Sequence, residues 1–120
     1  MADTKPVTFE QLAEIANRVS PEYATRLLAL AGKESTFGKN PAAYKPNAFG
    51  AIGPMQILSS QLGGKYGNFE KYAAPGKTNP LDPLHAAEAG MRMAVDFFKT
   101  KGVDRGTMDY LGRGKKDALG

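Results

Sequence analysis

The chain has no cysteine, no tryptophan, a single histidine and no long apolar run. Without thiols there is no disulfide, no thiolate nucleophile and no cysteine-bound zinc. One imidazole, His85, rules out a histidine-rich metal site. No loop with alternating Asp and Asn offers the oxygen ligands of a calcium site, so no metal and no cofactor is expected. The five tyrosines are not interleaved with basic residues, and with tryptophan missing a stacking surface for nucleic acid is not expected. No apolar stretch approaches the roughly 18 residues that span a bilayer, so stable membrane insertion is not expected. The start, MADTKPVTFEQLAE, lacks the apolar centre of a secretory signal.

What remains is 120 residues, 42% hydrophobic and 23% charged, which suits one globular domain over 1–120 with flexible ends at 1–7 and 113–120. The net charge of +4 is modest, and its densest run is Arg113, Lys115 and Lys116. Such a run is either an electrostatic hold on a polyanion or a solvated tail.

Helical periodicity dominates. Thr8 and Gln11 fit a capping box for an amphipathic helix over about 9–19, carrying Phe9, Leu12, Ile15, Ala16 and Val19. Ser20 as N-cap and Pro21 at the first helical position predict a second helix reaching about 33–35, with Tyr23, Leu27, Leu30 and Ala31 on one face. Residues 37–53 are rich in Gly, Pro and Asn and read as a long irregular excursion with room for one short strand pair. Pro54 predicts a short helix to Leu62, and at most one helical turn falls near 69–73. Asp82 and Pro83 open the longest helix, about 84–101, with core stripes through Leu84, Ala87, Met91, Val95, Phe98 and Ala86, Met93, Phe97. It should be a central pillar buried on two sides. Asp104 then caps a last short helix to about Tyr110. The expected fold is mostly α, with at most a short strand pair.

Glu34 lies four residues after Leu30 and seven after Leu27, so it extends the apolar face of the second helix. Desolvation and the helix C-terminal dipole both favour its protonated form, which a general acid requires. The alternative is a surface Glu34 that pairs with Lys33 or Lys39. Glu88, between Leu84 and Met91 on the pillar, is either a second site acid or a satisfied buried group.

The stretch KESTFG (33–38), followed by FGAIGPMQIL (49–58) and later by NPLDPLHAAEAGMRMAVDFF (79–98), resembles the lytic transglycosylase family, the soluble transglycosylase domain related to goose-type lysozyme. The resemblance covers about 9–110. It implies a lysozyme-like domain with a central buried helix and a substrate cleft. It implies Glu34 as the single catalytic acid, with Ser35, Gly53, Met55, Gln56 and Tyr110 at the substrate. Met55 and Gln56 would line the sugar groove, and Gly50 and Gly53 would let a polysaccharide backbone come close. The family motif Ala-Tyr-Asn-x-Gly, whose tyrosine bonds the catalytic glutamate, is here Met108-Asp109-Tyr110-Leu111-Gly112, with leucine in place of asparagine. Neither Glu70 nor Asp82 lies in a second-acid motif. The implied activity is cleavage of peptidoglycan glycan strands with 1,6-anhydro ring formation. The alternatives are a lysozyme-type muramidase and a catalytically weak murein-binding module of a phage particle. The implied setting is a bacteriophage virion or lysis protein acting at the cell wall, with phage particle proteins as possible partners.

Overall fold

The computed structural model describes residues 6–112. The basic run Arg113, Lys115 and Lys116, with the ends 1–5 and 113–120, lies outside the described residues. The described chain is mostly helical with one small antiparallel sheet. Val7, assigned to a flexible end, is instead buried in the core, and its N–H donates to the Tyr44 hydroxyl at 3.0 Å.

Helix α1 (Phe9–Val19) starts at the capping box: Thr8 Oγ1 accepts the Gln11 N–H at 3.0 Å, and Gln11 Oε1 accepts the Thr8 N–H at 2.9 Å. Its Leu12, Ile15 and Ala16 face the core. Helix α2 (Ala24–Ser35) begins three residues after Pro21, later than expected. Ser20 caps a tight turn, not a helix: its carbonyl accepts the Tyr23 N–H at 3.2 Å, and the Tyr23 ring turns aside onto Phe98.

The expected helix from Pro54 is a hairpin instead. Strand β1 (Ala51–Ile52) pairs with β2 (Ile57–Leu58), Ala51 opposite Leu58 and Ile52 opposite Ile57. The reason lies in the backbone between them: Gly53 at φ 84° and Gln56 at φ 49° are left-handed, which no helix accommodates. The Gln56 N–H closes the turn on the Gly53 carbonyl at 3.0 Å. Short 3-10 turns at Pro41–Tyr44 and Ser60–Leu62 flank the hairpin, and α3 (Asn68–Tyr72) follows.

Helix α4 (Pro83–Lys101) is the pillar. Asp82 Oδ1 accepts the Leu84 N–H at 2.9 Å, Pro83 takes the first helical position, and Gly102 ends the helix. Its buried residues include four alanines and Gly90, so α1, α2, α3, α5 and β2 all reach it closely. Leu84, expected in the core stripe, is exposed because the first turn of α4 overhangs a groove beside α1. Helix α5 (Val103–Gly112) follows Gly102 directly, so Asp104 sits inside its first turn and does not cap it. Gly106 lets α5 cross close to the Phe97 backbone, where a Cβ would come within 2.9 Å. Tyr110 on α5 is wholly buried.

Candidate functional site

Glu34 is the penultimate residue of α2. Leu27, Leu30 and Ala31 are buried, and Glu34 continues their face outward, half-buried rather than solvated. The helix stops one residue later because Thr36, Phe37 and Gly38 take left-handed backbone in succession, at φ 53°, 57° and 79°. Two of the three are not glycine, so the conformation is strained and must be held from outside. Phe37 is held by its ring, which lies so close over Gly32 that a Cβ there would come within 2.7 Å, and which meets Phe9 edge-on. Freed carbonyls at the helix end are recovered by the Thr36 N–H on Gly32 (3.0 Å), the Phe37 N–H on Ala31 (3.1 Å) and the Asn40 N–H on Ser35 (3.0 Å).

Ser35 joins this helix end to the hairpin turn. Its hydroxyl lies 2.7 Å from the Pro54 carbonyl and accepts the Gly38 N–H at 2.8 Å. The next carbonyl along, Met55, accepts the Tyr110 hydroxyl at 2.8 Å. Gly90 makes room for this second joint, since a Cβ there would lie 2.4 Å from Met55 Cβ and 2.9 Å from the Tyr110 oxygen. Gln56 is fixed by its own amide nitrogen, which donates to the Gly53 carbonyl at 2.9 Å and the Ala43 carbonyl at 3.1 Å. The turn is therefore pinned at three successive residues by α2, α5 and the 3-10 turn.

In front of this pinned turn lies an open groove of about 300 Å³. Lys33 and Glu34 of α2, Asn47 and Gln56 of the turn supply its polar lining; Phe49, Ala51, Leu58 and Leu111 supply its apolar lining. Glu34 and Gln56, distant in sequence, meet here as expected. Ser35, Gly53, Met55 and Tyr110 do not line it: all four are buried behind the wall, where they shape it. Ser35 and Tyr110 spend their hydroxyls on the joints just described, and Met55 its carbonyl. Gly53 gives its space to Ala86 Cβ, which a Cβ would approach to 2.8 Å, and Gly50 gives its space to the Gly64 backbone. These glycines serve close packing of the chain on itself. The donor half of the Gln56 amide, expected to serve a ligand, is committed to the two carbonyls.

The competing acids are accounted for. Glu88 is a satisfied buried group: Oε1 accepts from Arg18 at 2.6 Å and Lys77 at 2.9 Å. Burial pushes its carboxyl up, but the hydrogen bonds and charges of Lys77 and Arg18 outweigh this and leave it below the ordinary value. Glu70 is likewise pushed up by burial and brought below its ordinary value by hydrogen bonds from Ser59, Ser60 and Gln61. Among the described residues no cluster of three or more His, Asp or Glu could hold a metal ion.

Asn47 and Phe49 went unread as site residues. The signal was present: Asn two residues before Phe49 and four before Ala51 suits a turn in which its side chain accepts backbone N–H groups. Compared with protein-family models, with curated proteins and with solved structures, the chain matches none of them.

Proposed function

We infer that this protein cleaves peptidoglycan glycan strands as a lytic transglycosylase, with Glu34 as general acid and then general base in a lysozyme-like cleft. The observation that carries this reading is that Glu34 is the one carboxylate among the described residues lining the groove. Hydrolytic glycosidases of the usual kind flank the scissile bond with two carboxylates. A single acid suits a reaction in which the substrate supplies the second group.

In that reaction the Glu34 carboxyl protonates the oxygen linking N-acetylmuramic acid to N-acetylglucosamine, and the C1–O bond breaks. The 2-acetamido oxygen stabilises the positive charge developing at C1. Glu34, now a carboxylate, takes the proton from the C6 hydroxyl as O6 bonds to C1 and closes the 1,6-anhydro ring. Glu34 ends protonated as it began, and no water is consumed. Its place at a helix C-terminus, where the peptide dipoles disfavour negative charge, suits a group that must carry a proton at the start. The pinned turn holds Gln56 at a fixed position in the groove, so little reorganisation is needed when sugar binds.

The test is digestion of purified peptidoglycan followed by mass spectrometry. Wild-type protein should release anhydromuropeptides, and Glu34→Gln should reduce the yield by at least about 100-fold, the usual scale of a lost general acid. An unchanged yield would remove Glu34 from its role, and reducing-end muramic acid would identify a muramidase instead. One observation favours a second reading, a murein-binding module without turnover: Leu111 brings an apolar side chain to the groove where the resembled family has a polar one. Binding to insoluble peptidoglycan with no clearing in a murein-containing gel would select it.

A further inference from the structure

Phe49 stands at the rim of the groove with 39% of its surface open to water. It has not collapsed onto the core because the 47–51 turn holds it out. Asn47 Oδ1 accepts the N–H groups of Phe49 (2.8 Å) and Ala51 (3.0 Å), and the Asn47 carbonyl accepts the Gly50 N–H at 2.9 Å. Next to Phe49 in the chain, Gly50 meets Gly64 so closely that a Cβ on Gly50 would lie 2.5 Å from Gly64 Cα. Because two N–H donors fix the oxygen end of the Asn47 amide, its NH₂ end is the hydrogen-bonding group it presents outward. One rigid turn thus offers an aromatic face and an amide donor side by side, on the same groove as Glu34.

A pyranose is shaped for such a wall, with a flat face of C–H groups and hydroxyl or acetamido oxygens around its edge. We propose that Phe49 stacks on the C–H face of the sugar unit held beside Glu34 while the Asn47 NH₂ donates to an oxygen on that unit's edge. The 47–51 turn then selects for the glycan part of the substrate, independently of any peptide attached to it. This rests on the glycan-cleaving reading given above.

The experiment uses peptide-free glycan strands, stripped of stem peptides by an amidase. Turnover is followed with wild-type protein, and binding in a Glu34→Gln background by ¹H–¹⁵N spectra. Phe49→Ala should raise KM or Kd about 10-fold or more while kcat changes little, as expected when a large apolar contact is removed. Phe49→Trp should stay within about 3-fold of the parent, since it keeps the aromatic face. The Asn47 side-chain NH₂ resonances should shift on adding strands. If the parent cleaves or binds the strands, but Phe49→Ala matches it and the Asn47 signals do not move, this proposal is overturned and the glycan-cleaving reading stands. If the parent neither cleaves nor binds them, both fall.

Discussion

Ser35 and Tyr110 contribute one hydroxyl each to the same turn, on the adjacent carbonyls of Pro54 and Met55. Both side chains are buried, so truncation strands a carbonyl away from water, which costs about 1–3 kcal/mol. Ser35→Ala also strands the Gly38 N–H and should lie at the upper end, about 2–3 kcal/mol; Tyr110→Phe should cost about 1–2 kcal/mol. Because the two act on one turn, the double variant should depart from additivity, which urea titration of all four proteins would reveal. Simple additivity would mean that the two joints are independent. Gly90→Ala attacks the same place from α4. Its new Cβ meets Met55 Cβ at 2.4 Å with no flexible end to yield, so it should destabilise by about 3 kcal/mol.

Helix α2 ends by a costly route. Thr36 is exposed and β-branched, yet left-handed at φ 53°. Such a residue is unfavourable by about 1–2 kcal/mol relative to one without a Cβ. Thr36→Gly should therefore stabilise the protein by about 1 kcal/mol after its entropy in the unfolded chain is counted, while leaving Glu34 in place. A lower denaturant midpoint for Thr36→Gly would show that the threonine side chain has a partner worth more than the strain. The hairpin has the same character, with Gly53 and Gln56 left-handed at either end of its turn. Conformations that disfavour ordinary residues thus gather around the groove, held by the Phe37 ring, the Gln56 amide and the buried hydroxyls of Ser35 and Tyr110.

Across the whole molecule, the ion pairs of Glu88 tie α1, the 73–82 segment and α4 together through Arg18 and Lys77. Glu88 and Glu70 both lie below their ordinary value of 4.5 in the folded protein. A carboxyl lowered by folding contributes stability above its unfolded value, and that contribution is lost as pH falls through the folded value. The melting temperature should therefore drop as pH is lowered from about 4.5, and Glu88→Gln should flatten part of that slope at a cost of about 1–2 kcal/mol near neutral pH. The alkaline side has its own marker. Burial and then the hydrogen bond to Asp96 push the Tyr72 phenol up to about 12 from an ordinary 10.0. A raised value reverses the sign: stability is full below pH 10.0 and falls as pH rises toward about 12, a decline that Tyr72→Phe should lessen in thermal melts.

Local chemistry was enough to read α1 and α4. The Thr8–Gln11 box and the Asp82–Pro83 entrance act within a few residues, so their helices start where the spacing puts them. Glu34 was legible for the same reason, since its distance from Leu27 and Leu30 along one helix settles which way it faces. The place of the strand pair at 51–58 was not legible, because proline opens a helix or enters a turn equally well. Distant segments made the choice: the Ala43 carbonyl accepts the Gly53 N–H and the Gln56 amide, and Ala86 fills the space beside Gly53. Nor could spacing tell a residue in the groove from one behind it. Ser35 and Tyr110 are polar enough for either place, and contacts between segments 19 and 55 residues apart sent both inward, leaving Asn47 and Phe49 to face the opening.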